Sequence, residues 1–325
     1  MSITLKQAYD LFMSDRETFC APKTLIYYRD NLNQFFTFIH NQYDYDINTY
    51  DLNDLPKSIF GDYVKYLRQR DCFENHPFTP STGIKIKNST IRTYSRAVKV
   101  FISFCKNEEL LESNLKITKL PKDDAKQVVP LYSNEVEKID DLFNDRTEFG
   151  LRNFCIVHLM LDAGLRSSEV VNLKLENLLF DKNVIVVEDS KYNKSRVVLM
   201  CPRLKSRLYK YCIMHRSYNA DSQEIGKQHV FMQIRGQDYI NINVIKQFFA
   251  RLKRKTGIER LHPHLLRHTF ATSYIMGGGN LEMLRLLLGH YDYNVTRNYL
   301  HLANQYMMLN ADIYKLDSVF FKTTY

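Results

Sequence analysis

The sequence contains no apolar run approaching the roughly 18 residues that a membrane-crossing helix needs, so no membrane span is expected. Its first residues, MSITLKQAYDLFMSDRE, are amphipathic and charged, with neither the apolar core nor the small-residue cleavage site of a secretory signal. The expected location is the cytoplasm. Cys20, Cys72, Cys105, Cys155, Cys201 and Cys212 are scattered and form no C-x-x-C. Cysteines among apolar neighbours, as Cys105 is in FISFCK, read as reduced, partly buried thiols and not as a disulfide framework or a zinc site. No Asp/Glu cluster offers a two-metal nuclease site. No G-x-x-x-x-G-K-S/T loop offers a cradle for ATP. Internal repeats and low-complexity tracts are also lacking.

What is present is positive charge, unevenly spread. The net charge is +9 and the pI about 9.1, which admits nucleic acid as a partner. Residues 1–115 hold 14 Lys+Arg against 14 Asp+Glu, and the remainder holds 31 against 22, so the excess lies wholly in the later part. Any DNA contact by the first part requires a segregated basic face.

Apolar spacing predicts a helical first domain over residues 1–113. Leu25, Tyr28, Leu32, Phe35 and Ile39 form one stripe over 24–40, and Ile91, Tyr94, Val98, Phe101 and Cys105 another over 91–105. The opposite face of the second stripe carries Arg92, Ser95, Arg96 and Lys99. Shorter helices are expected near 4–17 and 56–70, and a Pro-containing loop over 72–90. Residues 114–130, with two prolines and four lysines, read as a linker. A second domain is expected over 131–325. It has helices over 133–143, 149–161 and from Ser167, strands at 183–188 and 196–200 joined by the polar loop DSKYNKS, and mainly helix after 203. A further short strand is expected at 229–234. The fold class is therefore mainly α with a small antiparallel β-sheet.

Four segments carry chemistry: Ala163-Gly164-Leu165-Arg166-Ser167-Ser168-Glu169, Ser190-Lys191-Tyr192-Asn193-Lys194-Ser195-Arg196, His262-Pro263-His264-Leu265-Leu266-Arg267-His268, and Leu287-Leu288-Gly289-His290 with Tyr299 nine residues on. His264 and Arg267 are three apart and share a helix face. Such a pair suits a phosphate, because Arg donates in a bidentate fork and His can donate or exchange a proton. Phosphoryl transfer without metal or ATP needs cationic side chains and a protein nucleophile.

The order Arg, Lys, His-x-x-Arg, His, Tyr across residues 130–301 resembles the signature of the tyrosine recombinase (phage integrase) family, Xer-like and transposon integrases included. The resemblance implies a helical core-binding domain (a SAM-like bundle) followed by a tyrosine-recombinase catalytic domain. It implies that Arg166 and Arg267 hold the scissile phosphate, Lys191 protonates the departing 5′ oxygen, His264 acts as base or phosphate donor, and His290 completes the phosphate shell. Tyr299 attacks, giving a 3′-phosphotyrosyl link. Glu169 and His268 support these groups. Lys194 shares the loop of Lys191, but the family pattern favours the first lysine. Tyr192 stands where the family often has glycine. Double-stranded DNA is the expected partner, a homotetramer on two sites the working unit, and no cofactor or metal is expected. Backbone contacts are expected from Arg92, Arg96 and Lys99, and from Lys246, Arg251, Lys253, Arg254 and Lys255 opposite the core-facing Phe248, Phe249 and Leu252. A merely solvated helix is the alternative there. The rivals are a type IB topoisomerase and a non-catalytic DNA-binding protein. The segment after Tyr299, with Ile313, Leu316, Val319 and Phe320, is expected to close the domain or to dock on a neighbouring protomer.

Overall fold

A computed structural model describes residues 3–74, 79–112, 115–122, 128–189, 194–216, 228–233, 238–289, 299 and 301. Lys191, His290 and the segment 302–325 lie outside the described residues. The chain divides into two compact units, residues 1–126 and 127–325.

The first unit is helical. α1 (Leu5–Glu17) starts where Thr4 caps the Gln7 N–H and the Gln7 side chain answers the Thr4 N–H, a capping box. α2 (Pro22–Tyr43) opens with proline in its first turn, where no backbone donor is lost. α3 (Ile59–Gln69) and α4 (Asn88–Asn107) complete the bundle. Aromatic rings fill its core: Phe12 meets Tyr28, Phe101 and Phe104 edge-on, and Phe35 meets Tyr63. Ser95 departs from expectation. It is fully buried, because Ala97, Val98 and Ile91 widen the apolar stripe of α4 to its side. Arg96 and Lys99 stay exposed, and Arg92 donates to the Pro121 carbonyl. The stretch read as a linker packs here as far as Pro121: Leu115 is buried and the Lys116 N–H donates to the Lys57 carbonyl.

The second unit is built around α6 (Glu148–Leu161), which follows α5 (Ser133–Asp140) and is buried on nearly every side. A helix apolar all round belongs in a core. α7 (Ser167–Asn172) follows a tight break. β1 (Leu178–Leu179), β2 (Val184–Asp189) and β3 (Lys194–Leu199) form an antiparallel meander in that order. The β2–β3 register runs from Val184↔Leu199 to Asp189↔Lys194. β1 has two residues and gives no periodic signal. The strand expected at 229–234 does not form among the described residues. There the chain makes single bridges, Lys174↔His229 and Met232↔Tyr239. α8 (Pro202–Arg216), α9 (Ile242–Thr256), α10 (Pro263–Met276) and α11 (Leu281–Leu288) complete the unit.

Candidate active site

The site begins at the break between α6 and α7. Gly164 has φ +67°, and a Cβ there would lie 2.6 Å from the Phe270 ring. Both the left-handed backbone and the close approach of α10 require glycine. The turn places Arg166 in extended conformation just before α7, with its N–H donating to Glu169 Oε2 at 2.7 Å. The same arginine sends Nη1 to Glu169 Oε1 at 2.7 Å and Nη2 to the Gly289 carbonyl at 3.2 Å. Arg166 therefore stands at the N-terminus of its helix with its own N–H answered by Glu169, and its side chain also reaches toward the end of α11.

Glu169 is the hub. Arg196 on β3 meets it with a two-pronged fork, Nη1 to Oε1 at 2.8 Å and Nη2 to Oε2 at 2.7 Å, and its Nε donates to the Leu287 carbonyl at 2.7 Å. Arg267 on α10 lies 3.8 Å from the same carboxylate. It donates to the carbonyls of Gly164 and Leu288, both at 2.5 Å. One carboxylate thus stands among three guanidinium groups, and two positive charges are left in excess. Side-chain exposure separates their parts: Arg166 keeps 31%, against 11% for Arg196 and 8% for Arg267. Arg166 offers the accessible donors, while the other two are packed in.

Electrostatics follow. Burial opposes charge on Glu169, but the Arg196 fork and Arg166 outweigh it and hold its pKa at about 2. Burial and then the Arg166 charge push Arg267 below its ordinary value. A guanidinium nevertheless stays charged, so Arg267 is a buried cation under-compensated by its surroundings. His264, three residues before it on α10, is held below the ordinary imidazole value by partial burial and then by the charges of Arg267 and Arg166. His262 caps α10 through its ring, which accepts from the Leu265 N–H at 3.2 Å.

Tyr299 packs with Phe270, Tyr274 and Leu281 against Ala271, Ile275, Leu284 and Leu288. Its hydroxyl lies 3.2 Å from Nδ1 of His268, whose Nε2 stands 2.9 Å from the Val128 carbonyl. Burial raises the Tyr299 pKa, and the charge of Arg267 acts against that rise. Of the residues singled out from sequence, Arg166, Glu169, His264, Arg267, His268 and Tyr299 are thus drawn into one neighbourhood. On α9, Lys246, Arg251, Arg254 and Lys255 are exposed, and Lys253 pairs with Glu259 at 2.8 Å.

Arg196 escaped the sequence reading although it ends the quoted hairpin segment. One signal was available. In Arg196-Val197-Val198 the alternation puts Arg196 on the face of the buried Val198, opposite the exposed Val197. An inward arginine demands a partner.

The sequence profile of the phage integrase family matches residues 130–306. The chain is 28% identical over 286 residues to the tyrosine recombinase XerC of Staphylococcus aureus (strain USA300 / TCH1516), covering 87% of each. It is 25% identical over 287 residues to a tyrosine recombinase of Thermosipho africanus (strain TCF52B), covering 88% of this chain and 90% of the relative. Among solved structures, a Tn1549 transposon integrase in complex with a circular intermediate DNA superposes with a TM-score of 0.71 at 17% identity, covering 92% of this chain and 95% of that one. XerH site-specific recombinase bound to a palindromic difH substrate gives 0.67 at 18% identity, covering 96% and 85%. The profile takes in more than half of the chain and spans every residue of the cluster around Glu169 together with Tyr299: the chain belongs to the phage integrase family.

Proposed function

We propose that this protein is a site-specific recombinase that cleaves and rejoins duplex DNA through a 3′-phosphotyrosyl intermediate, with Tyr299 as nucleophile. The observation that carries the reading is the cluster of three guanidinium groups around one carboxylate, in electrostatic reach of a half-buried tyrosine. Its two excess positive charges complement a phosphodiester whose non-bridging oxygens gain charge as the tyrosine attacks, and groups fixed before the reaction stabilise that charge most effectively. Arg166 and Arg267 hold those oxygens. His264, neutral at physiological pH by the direction of its shift, donates a hydrogen bond to the phosphate or receives a proton. Lys191 protonates the 5′ oxygen and His290 completes the phosphate shell, roles that rest on the family resemblance. The phosphotyrosyl link conserves the energy of the broken bond, so a second 5′ hydroxyl reverses the step on a new partner.

The tyrosine recombinases it resembles, and the DNA present in the Tn1549 integrase and XerH structures, support the same class and DNA as partner. We read residues 1–113 as the core-binding domain, 114–130 as the linker and 131–325 as the catalytic domain. The working unit is a homotetramer that joins two duplexes, in integration, excision, transposition or resolution. The exposed cations of α9 suit phosphate contacts, and Arg92, Arg96 and Lys99 give α4 the same character.

The test is a nicked suicide duplex, chosen by selecting bound sequences from a random pool with the Tyr299→Phe chain. The wild type is expected to accumulate a covalent complex resistant to denaturant, and Tyr299→Phe to bind without forming one. An adduct in Tyr299→Phe would move the nucleophile elsewhere. A two-site recombination assay beside a supercoil-relaxation assay separates the recombinase from a topoisomerase. Truncation after Leu309 is expected to weaken tetramer formation.

A further inference from the structure

The nucleophile reading requires a group placed to accept the tyrosine proton. A phenol titrates near 10, and burial moves Tyr299 further up. A neutral phenol attacks phosphorus poorly, so the proton must leave as the bond forms. Among the described residues the hydrogen-bond partner of the Tyr299 hydroxyl is His268, at 3.2 Å.

The tautomer of His268 is fixed on its other side. Nε2 stands 2.9 Å from the carbonyl of Val128. A carbonyl only accepts, so Nε2 carries the hydrogen. In a neutral imidazole Nδ1 then holds a lone pair, and the Tyr299 hydroxyl donates to it. The strap that supplies this carbonyl is itself secured. The Leu131 N–H donates to Thr269 Oγ1 at 2.9 Å, and Arg260 donates to the carbonyls of Val129 and Pro130 while pairing with Glu135. Thr269 follows His268 on α10, so helix and strap are pinned at adjacent residues.

We propose that His268 is the general base of the reaction: its Nδ1 takes the Tyr299 proton during attack and returns it during rejoining. The proposal rests on Tyr299 as nucleophile. In cleavage the Oη–H bond breaks and its proton goes to Nδ1. The Oη electron pair forms the bond to phosphorus, and the bond from phosphorus to the 5′ oxygen breaks. That oxygen takes a proton from the general acid, assigned above to Lys191. The resulting imidazolium keeps its Nε2–H on Val128. In rejoining the 5′ hydroxyl returns its proton to the amine of the general acid as its oxygen bonds to phosphorus, the bond from phosphorus to Oη breaks, and the departing Tyr299 oxygen recovers the proton from Nδ1. His264 is thereby left to the phosphate.

The groups facing His268 favour a neutral resting ring. Burial is the largest influence lowering its pKa, the Val128 carbonyl works in the opposite direction, and His301 lowers it again. His262, at the start of α10, is repelled by His264 and His268. Arg267 acts on Tyr299 and lowers the cost of its ionisation. Arg260, on the strap side, is balanced by Glu135.

The test uses the full chain, the selected suicide duplex and single-turnover formation of the covalent complex between about pH 6 and pH 10. His268→Asn keeps a polar atom near the Nδ1 position but cannot take a proton. Its cleavage rate is expected to fall by about 100-fold or more at neutral pH. The loss should shrink by about tenfold for each pH unit as hydroxide replaces the base. A duplex with a 5′-bridging sulfur at the cleaved bond needs no leaving-group protonation, so it should rescue Lys191→Ala and leave His268→Asn slow. Unchanged DNA binding and thermal unfolding show that the variant folds. A His268→Asn rate within about threefold of wild type, a loss constant across pH, or rescue by the sulfur substrate would each overturn the proposal. Failure of the nucleophile reading looks different: the wild type forms no adduct, or Tyr299→Phe forms one.

Discussion

Replacing Arg196 with glutamine removes both prongs from Glu169 and the bond to the Leu287 carbonyl, while leaving a side chain of similar reach. Glu169 is held at about pH 2, against an ordinary value near 4.5. A tenfold change in proton affinity corresponds to about 1.4 kcal/mol, so ionised Glu169 contributes on the order of 3 kcal/mol. That figure applies with little screening, because the side chain is only 8% exposed. Breaking one member of a buried pair costs about 3–5 kcal/mol by a separate line of reasoning, and the two agree. The depressed value sets the sign: the contribution is present above about pH 4.5 and is lost as pH falls toward 2. Arg196 is the largest of the groups that lower the Glu169 pKa and Arg166 remains, so Arg196→Gln should lose most of that, about 2–3 kcal/mol at pH 7, or about 4–12 °C in melting temperature for a unit of this size. It should lose less than wild type on acidification, because Glu169 then starts nearer its ordinary value. Calorimetry at pH 7 and pH 4 reads both. A drop below about 2 °C at pH 7, or an acid sensitivity equal to that of wild type, refutes the hub assignment.

Three more outcomes follow from the same geometry. Gly164→Ala should cost about 2–5 kcal/mol in urea unfolding, from left-handed strain and overpacking against the Phe270 ring; a second change, Phe270→Leu, should recover the packing part and leave the strain. Burial opposes charge on His158, but carboxylates at 2.8 Å on both ring nitrogens, Asp140 and Asp162, raise its pKa. Its stabilisation is complete below the ordinary value near 6.5 and fades as pH rises through the elevated one, so His158→Gln should flatten the decline in melting temperature measured from about pH 6 upward. Arg254→Glu with Lys255→Glu should weaken binding to the selected duplex and to random duplex alike, and reduce the steepness of log Kd against log salt by about 1 per lost phosphate contact; an unchanged slope assigns α9 to solvent.

What the sequence disclosed and what it hid divide along a physical line. Local interactions were legible. The alternating stripes announce α2 and α4, and β2 and β3 are signalled by β-branched runs. Chemistry packed into short windows was legible too, because Arg166 with Glu169, and His264 with Arg267, lie within one helical turn. The two-residue β1 was not, since two residues have no period. Ser95 was misread because one polar hydroxyl does not decide the side of a helix whose neighbours Ala97 and Val98 are buried. The bond between His268 and Val128 spans 140 positions, and no window holds both.

Arg196 shows why the remainder was hidden and what it does for the site. Its bonds reach Glu169, 27 positions back, and Leu287, 91 positions on. Those two anchors belong to segments that present Arg166 and lead into Gly289 and His290. A cation on the sheet therefore fixes the distance between two parts of the site that share no local sequence. Gly289 fits the same account. Its φ is +63°, and a Cβ there would stand 3.0 Å from Arg196 Nη1, so the glycine that ends α11 also makes room for the arginine. Both Gly289 and Arg196 could be read locally as a helix stop and a strand residue. Their common purpose exists only in three dimensions, where β3 is tied through Arg196 to the same carboxylate that steadies Arg166.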